Sequence, residues 1–168
     1  MLVGLPGSGK SMVGARVAAL LARDFRDADD VIVERTGRPI AEIFARDGEA
    51  GFRAIEAGIV AELLDGEPLV LALGGGAILD PVTRERLSGH HVVWLRAPVS
   101  ALLDRLDAAE RAARPLLAGD AAGRLTELAE SRVPLYEGVA SVVVDVAGRT
   151  VEDVAAVTAA GVPVGERT

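Results

Sequence analysis

Apolar residues along this chain recur with two periods, and the two alternate. Leu2–Val3, Phe25–Asp27 and residues 69–73, 92–95 and 141–146 read as short strands. The third of these is a continuous apolar run, the pattern of a strand covered on both faces. Between the strands the spacing changes. Gly14, Val17, Ala18 and Leu21 recur at helical intervals, and over 49–64 the residues Phe52, Ile55, Ile59 and Leu63 fall on one helix face. Pro39 and Pro81 sit where a first helical turn accepts proline, with Asp80 as N-cap of the second. Strand and helix in alternation predict the α/β class: a single domain over residues 1–160, with a five-stranded parallel sheet and helices on both faces. Between 107 and 124 the periodicity fades into alanine, glycine and charge, which predicts a mobile loop between helices. Residues 161–168 read as a loose tail.

Composition narrows the class. Half of the residues are hydrophobic but only 3% are aromatic, so the core must be Ala, Val, Leu and Ile. The mean hydropathy of +0.32 does not imply a membrane protein. The longest apolar stretch, 69–79, is too short to span a bilayer and carries three glycines. No basic-then-apolar segment precedes the first motif, so secretion is not expected and a cytoplasmic location is. The chain has no cysteine, which excludes disulfides, thiolate chemistry and Cys-ligated zinc. A net charge of −7 argues against nucleic acid as a partner. A small-molecule substrate and a monomeric state are the expectation.

The chain contains one lysine, Lys10, and it stands in Gly4-Leu-Pro-Gly-Ser-Gly-Lys10-Ser11, the pattern GxxxxGKS. Glycines let the loop curl so that successive N–H groups face phosphate oxygens. Lysine reaches the β- and γ-phosphates, and Ser11 offers a hydroxyl to Mg²⁺. The helix that begins at Lys10 adds its positive N-terminal dipole. Chance alone produces such a match on the order of once in a thousand chains of this composition. A preceding strand and a following helix complete the context, so the protein binds a nucleoside triphosphate, with ATP and Mg²⁺ as expected cofactors.

Ligands of a parallel α/β sheet gather beyond the carboxyl ends of its strands, and that rule sorts the other candidates. Asp27 and Asp29 follow the second strand. In an extended chain they share a face, suited to a cation beside a triphosphate and to accepting a hydroxyl proton. The alternative is an acidic helix start, with Asp29 and Asp30 capping a helix over 31–35. Gly74, Gly75 and Gly76 follow the third strand and would let a ligand press on bare backbone. Arg53 stands beside the apolar stripe of its helix with Glu56 three residues on, and in isolation reads as a surface ion pair. Arg114 opens Arg-Pro-Leu-Leu and Arg132 opens Arg-Val-Pro-Leu-Tyr136. His90 and His91 precede the fourth strand, at the far end of the sheet, and Trp94 reads as core or a strand-end wall.

Taken together these pieces resemble shikimate kinase, in order and spacing, over residues 1 to about 158. The Gly48-Glu-Ala-Gly-Phe52-Arg53-Ala-Ile-Glu56, Leu73-Gly-Gly-Gly76 and Arg132-Val-Pro-Leu-Tyr136 segments are more specific than the phosphate loop. The resemblance implies a phosphate-loop kinase fold and ATP-dependent phosphorylation of the 3-hydroxyl of shikimate, in the route to aromatic amino acids. It implies that Gly7, Ser8, Gly9, Lys10, Ser11 and Met12 surround the phosphates, and that Ser11 and Asp27 serve Mg²⁺. Asp29 would act as base and hold substrate hydroxyls, while Arg53 and Arg132 would clamp the carboxylate. Gly75 and Gly76 would contact the substrate, Arg114 would swing in with the lid, and Arg149 would lie near the adenine. Met12 departs from the family's frequent threonine, and the lid's register leaves Arg105 and Arg111 unassigned. The rivals are a kinase similar to gluconate kinase, a nucleoside monophosphate kinase, and a nucleotide-binding switch without turnover.

Overall fold

The computed structural model describes residues 1–105 and 120–163. Strands β1 (Leu2–Val3), β2 (Phe25–Asp27), β3 (Val70–Ala72), β4 (Val93–Arg96) and β5 (Val142–Asp145) form one parallel sheet. Their order is β2-β3-β1-β4-β5. Leu2 pairs with Ala72 on one side and Val93 on the other, so the strand that feeds the phosphate loop is central. The chain winds to one edge through β2 and β3, then crosses back past β1 to β4 and β5. The switch of direction at β1 opens a crevice at the carboxyl end of the sheet, and the phosphate loop stands in it.

Seven helices lie among the described residues: α1 (Lys10–Leu21), α2 (Ala28–Thr36), α3 (Ile40–Leu64), α4 (Pro81–Leu87), α5 (Val99–Arg105), α6 (Ala121–Val139) and α7 (Val151–Ala160). A 3₁₀ turn spans Ala77–Leu79. Strand side chains alternate between two cores, as the pleat requires. Leu2, Val70, Val93, Leu95 and Val144 pack with Val13, Val17 and Ala18 of α1 and Val154 and Ala155 of α7. Val3, Leu71, Leu73 and Trp94 pack on the other face with Val60 and Leu64 of α3, Leu102 of α5, and Leu125 and Tyr136 of α6. Each such aliphatic side chain contributes roughly 1.5–3 kcal/mol by burial. Covered on both faces, the sheet gives the strand-end loops a rigid base. Gly14 matters to this packing, because a Cβ there would collide with the ring of Phe25.

A third cluster stands apart from the sheet. Ile32, Ile43 and Phe52 are buried together, flanked by Ile40, Phe44, Ile55 and Ile59, and the Phe44 and Phe52 rings are 4.6 Å apart. It ties α2 to the first half of α3.

Several elements differ from their sequence patterns. Helix α3 is two helical segments: the second covers the expected 49–64, and the first opens at Ile40 behind Pro39, which is the N-cap and not part of the first turn. The two join at Gly48, where φ is 72° and ψ −179°. A residue with a side chain is strained there, so the glycine sets the bend. The buried file on α3 is Phe52, Glu56, Val60 and Leu64. The stripe through Ile55, Ile59 and Leu63 is only half-buried, shared between the third cluster and the main core. Helix α2 starts at Ala28, so Asp27 and Asp29 are not successive positions of an extended strand: Asp27 is the N-cap and Asp29 lies in the first turn. The aperiodic stretch also ends earlier than 124. Asp120 caps α6 through Gly123 N–H, and Ala121 is already buried. Asp80 caps α4 as expected, its Oδ2 accepting from Thr83 N at 2.8 Å with Pro81 in the first turn.

Candidate active site

Beyond β1 the chain turns sharply at Gly4, with φ near 150°. A Cβ there would sit 2.6 Å from Leu95 O, so only glycine lets the loop leave between β1 and β4. Gly7 and Gly9 adopt φ of 81° and 85°, and Gly9 is the N-cap of α1. These left-handed residues curl the loop so that its N–H groups line a concavity, which the unsatisfied first turn of α1 extends. Lys10 Nζ donates to Gly4 O at 2.9 Å and to Leu5 O at 3.1 Å, which holds the ammonium over the loop. Ser8 is buried, and its Oγ is unpartnered among the described residues.

The end of β2 is tied to this loop. Ser11 Oγ donates to Asp27 Oδ2 at 2.5 Å, while Asp27 Oδ1 accepts from Asp29 N at 3.0 Å. One carboxylate therefore caps α2 and meets the serine hydroxyl of α1. Both ligand atoms are hard oxygens, one a hydroxyl and one a carboxylate, beside the phosphate loop. That suits Mg²⁺, which takes few protein ligands beside substrate phosphates and water. The pair fits the ion.

A cavity of about 500 Å³ opens above the loop. Residues Gly7 through Val13 form its floor, Asp27, Asp29, Gly74 and Gly75 one wall, and Arg105, Arg149 and Val151 another. Arg105, unassigned from sequence, donates to Val146 O at 2.7 Å and so is held at the rim. Met12 is 65% exposed and lies in the same cavity.

Next to it lies a second group of charges, organised by the three glycines. A Cβ at Gly74 would strike the carboxylates of Glu56 and Asp29. One at Gly75 would lie 3.4 Å from Arg132 Nη1, and one at Gly76 would occupy the Arg53 guanidinium. Gly76 has an ordinary φ of −104°, so the demand there is for space and not for conformation. Two carboxylates and two guanidiniums thus converge on bare backbone just after β3.

Arg53 Nη1 pairs with Glu56 Oε2 at 2.5 Å and Nη2 with Glu49 Oε1 at 3.3 Å, and its guanidinium lies 5.1 Å from the Phe52 ring centroid. The surface ion pair read from sequence is instead half-buried, because the helix turns Glu56 into the core while Arg53 stays at its edge. Glu56 is 2% exposed, and its Oε1 is unpartnered among the described residues. Burial pushes its carboxyl above the usual range by more than the Arg53 charge draws it down. Arg132 is 3% exposed, and desolvation lowers the affinity of its guanidinium for the proton without discharging it. Arg53 Nε and Arg132 Nε are both buried without partners among the described residues. Buried N–H donors of this kind are stabilised by an incoming anion, and a planar carboxylate matches a guanidinium fork.

The candidates fall into one region. Lys10, Ser11, Met12, Asp27, Asp29, Gly75 and Arg149 line the cavity, and Arg53, Gly76 and Arg132 adjoin it through the glycines. Arg114 and Arg111 lie outside the described residues. His90 and His91 stand at the opposite end of the sheet, where His91 O accepts from the Met1 amino group at 2.7 Å. Trp94 is core, stacked on Tyr136 with centroids 5.9 Å apart. Sequence reasoning assigned no role to Glu56 or Tyr136, although both stand in the specific segments. Their signal was a charged or hydroxyl group at an i+3 or i+4 step from an arginine.

The family model described as Shikimate kinase matches residues 6–160. The chain belongs to the shikimate kinase family. Shikimate kinase from Streptomyces avermitilis is 50% identical over 155 residues, covering 92% of this chain and 90% of its relative. Shikimate kinase from Thermobifida fusca is 42% identical over 167 residues, covering 97% and 94%. Among solved structures, shikimate kinase from Acinetobacter baumannii in complex with shikimate superposes with a TM-score of 0.90 at 39% identity. That match covers 94% of this chain and 88% of the other.

Proposed function

We propose that this protein transfers the γ-phosphoryl group of ATP to the 3-hydroxyl of shikimate, giving shikimate 3-phosphate and ADP, in the route to aromatic amino acids. One observation carries the reading: two guanidiniums, the half-buried Arg53 and the buried Arg132, meet Asp29 on the Gly74–Gly76 backbone beside a phosphate loop. A small acid with a carboxylate at one end and hydroxyls at the other fits between them. Arg53 and Arg132 hold the carboxylate, and the backbone of Gly75 and Gly76 contacts the ring. Asp29 orients the hydroxyl and accepts its proton. Gly7, Ser8, Gly9 and Met12 offer backbone N–H groups to the phosphates, and Lys10 neutralises the β- and γ-oxygens. When bound, Mg²⁺ at Ser11 and Asp27 supplies further neutralisation of phosphate charge. Arg149 flanks the adenine, and Arg114 meets the transferring phosphoryl group. The protein acts in the cytoplasm as a monomer, on a small molecule and not on nucleic acid or membrane.

Coupled ADP release with shikimate, gluconate and nucleoside monophosphates tests this. Mg²⁺-dependent turnover of shikimate alone is expected. Comparable turnover of gluconate, or none of shikimate, overturns it.

A further inference from the structure

Tyr136 is the only tyrosine in the chain, and it is fully buried. A buried hydroxyl needs a partner, and this one reaches far along the chain for it. Its Oη donates to Gly75 O at 2.6 Å, across 61 positions of sequence. Arg132 stands one turn earlier on α6, and its Nη1 lies 3.4 Å from where a Gly75 Cβ would be. Tyr136 and Arg132 therefore meet the same glycine from one helix. Pro134 lies between the two side chains on the helix.

The consequence lies in the peptide planes of the glycine loop. In a trans peptide the C=O of one residue and the N–H of the next point in opposite directions. No cis peptide occurs among the described residues. Gly74 O accepts from Ala77 N at 3.0 Å, a local turn that turns the Gly75 N–H the other way. Gly75 O is turned towards Tyr136, so the Gly76 N–H points the opposite way. Glycines resist rotation of these planes less than any other residue. An anchor from outside the loop is what keeps the second amide aimed.

We propose that Tyr136 is a positioning residue for the acid substrate: its hydroxyl holds Gly75 O in place beside Arg132, and so sets the relation between the backbone amide and the guanidinium that receive the substrate. This rests on the shikimate reading above. The ring of Tyr136 is stacked on Trp94 and buried in the core. Burial keeps the phenol protonated far above neutral pH, so the hydroxyl remains a donor.

Tyr136→Phe keeps the ring and its stacking and removes only the hydroxyl. The KM for shikimate should rise roughly tenfold, the size of one hydrogen bond in an equilibrium constant. The KM for ATP should change by less than about twofold, and the melting temperature should fall only modestly. A purely structural role would move both KM values or neither, and either result overturns the proposal. A second measurement does not depend on the variant's folding. As the sole tyrosine, Tyr136 gives a single ¹⁹F resonance in protein labelled with 3-fluorotyrosine. Saturating shikimate should shift that resonance, and a non-hydrolysable ATP analogue alone should shift it less. A resonance unmoved by shikimate, or moved equally by both, overturns the proposal. Failure of the underlying reading appears elsewhere, as absence of shikimate turnover by the unaltered protein.

Discussion

Arg53 and Glu56 are one turn apart on α3, and their ion pair joins a 2%-exposed carboxylate to a guanidinium at the rim of the substrate region. The pair is lopsided. Glu56 holds Arg53 through Oε2 while its Oε1 faces Gly74 without a partner among the described residues. A half-buried pair of this kind contributes little net stability, because desolvation offsets the attraction. Its effect is on placement: it sets the Arg53 guanidinium against Gly76 before any substrate arrives.

The carboxyl of Glu56 is raised above its ordinary 4.5, chiefly by burial. In the window from 4.5 upward to the raised value, the native state keeps a proton that the unfolded chain has lost. Stability from this group is therefore full below that window and is lost as pH rises through it. Glu56→Gln removes the dependence. The melting temperature of the ligand-free variant, relative to the unaltered protein, should climb as pH is raised from 4 to 8. Meanwhile its KM for shikimate should rise roughly tenfold, since Arg53 loses its charged holder. A difference in melting temperature that is constant with pH defeats the argument.

Arg53→Ala and Arg132→Ala each remove charge-assisted hydrogen bonds worth roughly 1.5–3 kcal/mol. The loss should appear as a higher KM for shikimate, with the Kd for ATP little changed. Arg114→Ala should instead lower kcat more than it raises KM, as expected of a group that meets transition-state charge. Steady-state kinetics of the three variants decide the division of labour. A shared signature refutes it.

The phosphate loop, the sheet and the three glycines were legible because each leaves a local mark: a spacing, an apolar run, a residue type. Glu56 was not, since hydropathy places a carboxylate on the wet side of a helix and its i,i+3 arginine supports that reading. Only the packing of α3 on the sheet turns the file Phe52, Glu56, Val60 and Leu64 inward. The same limit applies to Asp27. An N-cap and an extended metal ligand use the same residue type, and the choice depends on where α2 begins. Tyr136 acts through a contact 61 positions away, which no local pattern announces.

Gly76→Ala separates space from backbone conformation. The φ of −104° admits alanine, so the backbone itself is not strained by the change. Its methyl group would nevertheless land on the Arg53 guanidinium, a flexible group that can swing away. Shikimate KM should rise roughly tenfold with an unchanged KM for ATP. The combination with Arg53→Ala should then add little, because both changes remove the same contact. Additive effects in that double variant would show that Gly76 acts on something other than Arg53.

Asp27 and Asp29 stand two residues apart yet face different partners. Asp27 accepts from Ser11 Oγ and from Asp29 N, which places it at the phosphate loop and at the start of α2. Asp29 lies beside Gly74, on the side of Glu56. Asparagine substitution suits both positions. At 27 it preserves a good N-cap, so α2 should form normally, and it removes the charge that serves the cation. At 29 it keeps size and hydrogen bonding while removing basicity. Asp29→Asn should therefore lower kcat by roughly 10²–10⁴ at any Mg²⁺ concentration. Positioning contributes part of that loss, because a loose phosphoryl-transfer transition state asks little of a base. Asp27→Asn should retain much of its kcat and require more Mg²⁺ for half-maximal rate. A Mg²⁺ titration of both variants tells the roles apart: rescue of the Asp29 variant by excess Mg²⁺, with none for the Asp27 variant, means that the two carboxylates exchange functions.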